Sequence, residues 1–138
     1  MEIKVQDEKT VYNNAGKVAA LFQGFLSNEN EIDQDKEHVW VMGLNTRNIV
    51  KYVELVSLGT LEESLIQPRE VYRMAISRGA KSIIIAHNHP SKSIEPSPDD
   101  LTITSRLTKA GEIIGIKVLD HVIITKQDHF SFADRGML

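Results

Sequence analysis

The chain has 138 residues, 41% of them hydrophobic and 25% charged, and its formal net charge is −3 at pH 7. This length and composition predict one globular domain over residues 1–138, and the scattered basic residues and acidic balance argue against direct nucleic-acid binding, which favours a basic stripe. The absence of cysteine excludes disulfides and thiolate-ligated zinc, so a transition metal would need histidine and carboxylate ligands.

No apolar stretch approaches the length of a membrane-spanning helix. Residues 1–10 are charged and lack the apolar core of a signal peptide. These two features predict a cytoplasmic protein that makes no contact with a membrane.

Helix and strand patterns alternate through the first half of the chain. Residues 1–14 are predicted to be an irregular or short-strand lead-in, and apolar side chains at helical spacing predict a helix over 15–26. The polar stretch 27–36 is predicted to be a loop. Strand patterns over 37–44 and 49–58 predict an antiparallel hairpin.

The second half continues the alternation. Pro68 begins a predicted helix that ends near Gly79, and the β-branched run over 81–86 predicts a buried strand. Strands interleaved with helices predict an α/β fold with a mixed sheet flanked by helices. The remaining predicted elements are a helix opened by Ser97 that runs to about Ala110 and ends at Gly111 and Gly115, and strands over 118–125 and 130–133.

Two histidines follow the predicted strand at 81–86. Side chains alternate along an extended chain, so His87 and His89 point to the same side and Asn88 points away. Pro90 biases His89 towards the extended conformation that preserves this alternation. The carboxyl ends of strands are where open α/β sheets usually bind ligands.

A carboxylate follows the two histidines at the start of the next helix. Ser97 and Pro98 have the residue types of an N-cap and a first helical position, which places Asp100 on the first turn. Two imidazoles and one carboxylate could converge on a divalent cation and leave a fourth position for water, as in catalytic zinc sites. The pattern Ser97-x-x-Asp100 is also a capping box. The two functions are compatible, because each can use a different carboxylate oxygen.

These residues carry a family resemblance. His87-x-His89, followed after seven residues by Ser97 and after two more by Asp100, resembles the metalloprotease signature of the JAMM (MPN+) domains. The segments TLEESLIQPREVYRMAISRGAKSIIIAHNHPS and AGEIIGIKVLDHVIIT resemble the RadC family, whose members carry this domain at their C-terminus. The resemblance covers the chain from about Asn14 onwards. It implies a three-layer, cytidine-deaminase-like fold and one Zn²⁺ per chain.

The resemblance also implies two catalytic residues. A glutamate at the start of the first core strand acts as general base in this family, and by position its counterpart is Glu37. The alternatives are Glu54, Glu62 and Glu63. Ser97 occupies the position whose hydroxyl polarises the scissile carbonyl or stabilises its oxyanion.

Other polar residues also have predicted functions. Asn88 and Ser91 are predicted to orient the metal ligands from behind, and His38 is predicted to face the opposite side of its strand from Glu37. His121 has two open interpretations, a structural hydrogen bond and a contact in the pocket.

The chain departs from the usual RadC sequence in the loop after His89. Family members usually continue the motif with Ser-Gly-Asp-Pro, whereas Ser91 is here followed by Lys92-Ser93-Ile94-Glu95. Lys92 brings a positive charge near the site, which bears on substrate contacts more than on metal binding. The helical, DNA-binding-type region that precedes the domain in RadC relatives is not recognised here.

Two functions follow from the motif and the resemblance. One is a zinc metallohydrolase that cleaves a peptide or isopeptide bond of a peptide or protein substrate, with His87, His89 and Asp100 as ligands. The other is a non-catalytic, metal-binding accessory module associated with DNA repair or recombination. Oligomeric state and the identity of the substrate are not readable from the residues.

Overall fold

The computed structural model describes residues 1–5, 10–59 and 66–138. Within these ranges the chain forms six strands and four helices. In chain order they are β1 (Glu2–Ile3), α1 (Ala15–Ser27), α2 (Glu31–Gln34), β2 (Glu37–Leu44), β3 (Val50–Gly59), α3 (Pro68–Ser77), β4 (Ser82–Asn88), α4 (Pro98–Ile114), β5 (Lys117–Ile124) and β6 (His129–Ser131).

All six strands belong to one mixed sheet, in the order β1-β3-β2-β4-β5-β6. β4 and β5 are parallel, and every other neighbouring pair is antiparallel. α4 is the crossover between the two parallel strands. The predicted α/β class with a mixed sheet and flanking helices is therefore confirmed.

One face of the sheet is covered by α1. Asn14 caps this helix by accepting a hydrogen bond from the main-chain nitrogen of Lys17 at 2.9 Å. The helix buries Val18 and Phe22 against the sheet, where the Phe22 ring lies 5.2 Å from that of Trp40. These aromatic and aliphatic contacts form the first half of the core.

The opposite face is covered by α3 and α4. Val71 and Tyr72 of α3 pack with Ile103 and Leu107 of α4 over β2, β4 and β5. The Tyr72 hydroxyl donates to the main-chain oxygen of Leu107 at 2.7 Å and so joins the two helices. The result is a three-layer arrangement of helix, sheet and helix pair.

Several predicted boundaries are corrected by the structure. The stretch 27–36 is not entirely a loop, because Asn30 caps the short helix α2 through the main-chain nitrogen of Asp33 at 2.8 Å. β4 extends two residues beyond the predicted end, so that His87 and Asn88 lie within the strand. Its pairing with both β2 and β5 supports this extension.

The end of α4 also differs from the prediction. The helix continues to Ile114, and only Gly115, with φ of 85°, ends it in the left-handed conformation. Gly111 lies inside the helix, where a side chain would clash with the Tyr72 hydroxyl and the main-chain oxygen of Ile116. Gly111 is therefore a close-packing position and not a helix stop.

None of the described helices is long and apolar enough to cross a membrane.

Candidate metal centre

Three polar side chains converge where β4 ends and α4 begins. Nε2 of His87 lies 2.9 Å from Nε2 of His89 and 3.2 Å from Oδ1 of Asp100. Nε2 of His89 lies 3.0 Å from Oδ2 of Asp100. Neighbouring ligands of a tetrahedral zinc ion lie about 3.3 Å apart, since the bonds are about 2.0–2.1 Å long. The three side chains therefore have the chemistry and spacing of a candidate metal site.

The two carboxylate oxygens of Asp100 have different surroundings. Oδ2 accepts a hydrogen bond from the main-chain nitrogen of Ser97 at 2.8 Å, and the Ser97 hydroxyl accepts one from the main-chain nitrogen of Asp100 at 3.1 Å. This is a complete capping box. Oδ1 is buried and accepts no hydrogen bond from the described residues. Since a buried acceptor without a partner is costly, Oδ1 fits a metal ligand.

Burial and hydrogen bonding act in opposite directions on this cluster. Burial raises the pKa of Asp100, but the close contacts with the imidazoles of His87 and His89 outweigh it and hold that pKa well below its usual range. Burial lowers the pKa of His89, but contacts with Asp100 and the Ser93 carbonyl outweigh it and leave the pKa raised. Asp100 is therefore an ionised carboxylate, as a metal ligand must be.

The ring of His89 is held in one tautomer. Its Nδ1 lies 2.7 Å from the main-chain oxygen of Ser93. A carbonyl oxygen can only accept, so Nδ1 carries the hydrogen and Nε2 presents its lone pair to Asp100 and His87 when the ring is neutral. This hydrogen bond orients His89 as a ligand.

Glu37 and Ser97 line the same cleft as the cluster. In the antiparallel pairing of β2 and β4, Val39 lies opposite His87, which places Glu37 across from His89. Glu37, His89, Ser97 and Asp100 all line a cleft of about 500 Å³. Glu37 and Ser97 are half-buried, so both side chains remain accessible from the cleft. The five residues predicted from the sequence thus lie together at one edge of the sheet.

Of the three alternatives to Glu37, the structure describes only Glu54. Glu54 lies within β3, paired with Val41, and is 7% exposed. It does not line the cleft that contains His89 and Asp100. Glu62 and Glu63 lie outside the described residues.

A RadC-like JAB domain family model matches residues 12–137 of the chain. The chain is 56% identical over 103 residues to a UPF0758 protein of Desulforudis audaxviator, covering 75% of this chain and 45% of the relative. It is 44% identical over 130 residues to a UPF0758 protein of Rubrobacter xylanophilus, covering 94% of this chain and 55% of the relative.

The chain belongs to the RadC-like JAB domain family. It spans about half the length of the curated relatives it matches. The predicted resemblance to RadC is confirmed.

Asn88 of this JAB domain has a different function from the predicted one. The hydrogen bonds of its side chain go to another strand: its Oδ1 accepts from the main-chain nitrogen of His38 at 2.6 Å, and its Nδ2 donates to the main-chain oxygen of Lys36 at 2.9 Å. These two bonds hold the chain on either side of Glu37. Asn88 therefore fixes the candidate base, whereas the exposed Ser91 lies at the rim of the cleft.

His121 lies directly behind His87. Its Nε2 is 2.7 Å from Nδ1 of His87, and its Nδ1 is 2.5 Å from the hydroxyl of Thr104. The ring also stacks on Phe132, with centroids 4.7 Å apart. Burial lowers the pKa of His121 well below its usual value, so the ring is neutral. The structural hydrogen bond is therefore the interpretation that the contacts support.

A β-bulge brings His121 to this position. Ile83 pairs with Val118 but Ile84 pairs with Asp120, so Leu119 is an extra residue in β5. If the strand ran regularly through Leu119, alternation from Val118 would turn His121 towards α1. The sequence carries no clear signal of this bulge, which explains why the contact with His87 was not predictable.

Proposed function

We propose that this JAB domain is a zinc-dependent metallohydrolase of the JAMM type that cleaves a peptide or isopeptide bond. The observation that supports it best is the convergence of His87, His89 and the carboxylate of Asp100 next to the cleft that Glu37 and Ser97 also line. A site built only to cap a helix would not need two imidazole nitrogens facing the Asp100 carboxylate.

Zinc is the proposed metal because the donor set is two imidazoles and a carboxylate, without a thiolate. His87, His89 and Asp100 would hold it, and three protein ligands leave a position for water or substrate. A zinc ion supplies Lewis acidity, which polarises a carbonyl group and makes a water molecule more acidic.

Glu37 is the proposed general base. Its carboxylate faces the cleft from the strand beside His89, and the bonds from Asn88 to Lys36 and His38 fix the main chain around it. It would remove a proton from the attacking water and return it to the leaving amine. Because Glu37 begins β2 and His87 lies on the adjacent strand β4, the sheet sets the separation between the base and this ligand.

Ser97 is the proposed oxyanion donor. Its oxygen accepts from the main-chain nitrogen of Asp100, which leaves the hydroxyl hydrogen available to a substrate oxygen in the cleft. One such donor is worth about 3 kcal/mol in the transition state. Capping and catalysis would thus use different parts of one hydroxyl group.

The proposed substrate is a peptide or protein, and the proposed location is the cytoplasm. A cleft of about 500 Å³ that opens between loops suits a segment of polypeptide better than an enclosed small molecule. Direct nucleic-acid binding is not proposed, because the net charge is −3.

The first test is the metal content of protein purified without added metal or a metal-binding tag. About one zinc per chain is expected in the wild type, with loss in His87→Ala and Asp100→Asn. Folded wild type that binds no zinc, even when zinc is supplied, would contradict the proposal.

The second test separates catalysis from metal binding. Glu37→Gln is expected to retain zinc and to lose 10²-fold or more of the hydrolysis, an order expected for a general base. Hydrolysis is measured on a panel of quenched fluorescent substrates with peptide and isopeptide linkages. Glu112→Gln, an exposed site on α4, is the matched control. No hydrolysis by zinc-loaded wild type on any substrate would favour the accessory-module alternative.

A further inference from the structure

Behind the candidate metal centre runs a buried chain of hydrogen bonds. It starts at the main-chain oxygen of Asp100, which lies 2.7 Å from the Thr104 hydroxyl, and continues through His121 to Nδ1 of His87. Thr104, His121 and His87 are 3%, 1% and 0% exposed. Since water does not reach these groups, each hydrogen in the chain must be placed among the protein atoms.

The hydrogens of this chain of groups can point in either of two directions along it, which gives two arrangements. In the first, the Thr104 hydroxyl donates to the carbonyl of Asp100, Nδ1–H of His121 donates to Thr104, and Nδ1–H of His87 donates to His121. In the second, Thr104 donates to His121, which donates to His87. Behind the cluster the first makes three hydrogen bonds and the second makes two, while the second also turns a hydrogen of His87 towards Nε2 of His89 and Oδ1 of Asp100.

The two arrangements have opposite consequences for metal binding. A neutral imidazole carries one hydrogen, so the first leaves a lone pair on Nε2 of His87, pointing at Asp100 and His89. The second places a hydrogen on that atom, which a metal ion would have to displace. Only the first arrangement prepares His87 as a ligand.

We infer that Thr104, acting through His121, is a positioning residue that sets the tautomer of His87 and so prepares its Nε2 for a metal. This inference rests on the metal binding in the proposed function, but not on hydrolysis. Thr104 is suited to this because its one hydrogen goes to a carbonyl that can only accept, which turns the hydroxyl oxygen into an acceptor for His121. The direction of the whole chain follows from that first bond.

Three substitutions on α4 test this inference through zinc affinity, measured by competition with a chromophoric chelator. Thr104→Val keeps the shape and removes the hydroxyl, and is expected to weaken zinc binding about 10–100-fold. Thr104→Ser restores the hydroxyl and is expected to bind within about threefold of wild type. Thr108→Val is the matched control, since Thr108 makes the same bond to the carbonyl four residues earlier, at 2.8 Å, without reaching His121.

Imidazole tautomers provide a readout that does not depend on a variant. Long-range ¹H–¹⁵N spectra of zinc-loaded wild type are expected to show the hydrogen on Nδ1 of both His87 and His121. A hydrogen on Nε2 of His121 in that state overturns the inference, as does wild-type zinc affinity in Thr104→Val.

The outcomes separate this inference from the proposed function. Zinc binding with the expected tautomers but no hydrolysis would contradict the metallohydrolase and leave the inference standing. Normal zinc binding in both wild type and Thr104→Val would remove the inference alone. A wild type that takes up no zinc would remove both.

Discussion

Asn88 shows how a residue outside the proposed catalytic set can control the position of one of its members. Its amide bonds the chain at Lys36 and His38 and so brackets Glu37 from the neighbouring strand. The side chain is 1% exposed, so neither bond can be replaced freely by water. The position of the candidate base therefore depends on a residue that is neither a candidate metal ligand nor part of the cleft lining.

Replacing Asn88 by Ala is expected to lower the free energy of unfolding by about 1–3 kcal/mol, because it leaves buried main-chain groups without partners. It is also expected to lower hydrolysis while zinc content stays at the wild-type level. Urea unfolding and metal analysis measure the two effects.

Ser91→Ala is the control for Asn88. Ser91 is exposed in the loop that follows, so its replacement is expected to change the free energy of unfolding by less than about 0.5 kcal/mol. Loss of zinc in Asn88→Ala would mean that Asn88 supports the ligands after all.

At the scale of single residues, the three candidate metal ligands were predictable from the sequence and the residues that support them were not. Local patterns, namely strand alternation and a helix cap, operate over a few residues and predict His87, His89 and Asp100. Asn88, Thr104 and His121 act across the sheet, where register decides the partner.

α4 contributes to the candidate site through its first turn and to the core through its inner face. Its first turn supplies Asp100 and the capping box, and its inner face packs on α3 through Leu107 and Gly111. Close approach at Gly111 lets the Tyr72 hydroxyl reach α4. The placement of Asp100 therefore depends on helix packing about three turns away.

Gly111→Ala is expected to lower the free energy of unfolding by about 1–3 kcal/mol, because the added methyl group would clash with Tyr72 and with the main-chain oxygen of Ile116. Gly24→Ala is the matched control, since that exposed position in α1 has open space around it. The control is expected to gain about 0.5–1 kcal/mol. Thermal or urea unfolding gives both values, and equal effects would contradict the packing argument.

The order of helices and strands was predictable because hydrophobic periodicity is a property of single elements. The short helix α2 was not predicted because its residues are mostly polar. Its sequence signal is the N-cap Asn30 and not an apolar face. Glycine at 111 resembled a helix stop because the sequence does not show which residue adopts positive φ.

Across the whole molecule, the candidate site joins segments that are far apart in the chain. β2 supplies Glu37, β4 and its following loop supply the histidines, and α4 supplies Asp100. A metal held by β4 and α4 would link the sheet to one of its covering layers. Metal binding is therefore expected to stabilise the entire fold.

Zinc at 100 times its dissociation constant is expected to stabilise the domain by about 2.7 kcal/mol. This corresponds to a rise of about 5–10 °C in the thermal midpoint for a domain of this size. Scanning calorimetry with and without zinc measures the shift, and Asp100→Asn is expected to abolish it. A shift of equal size in that variant would place the bound zinc elsewhere.

The position of the bulge at Leu119 decides, as a reading frame does, which of the following residues of β5 face each side of the sheet. A β5 with its bulge beyond Val122 would keep every recognisable motif, yet the two sides of the strand would be exchanged at these positions, turning His121 towards α1 and Val122 towards α4. The metal ligands would all survive in such a register, while His87 would lose the imidazole behind it. Relatives that keep the ligand motif but place this bulge beyond His121 would thus carry the signature without its support.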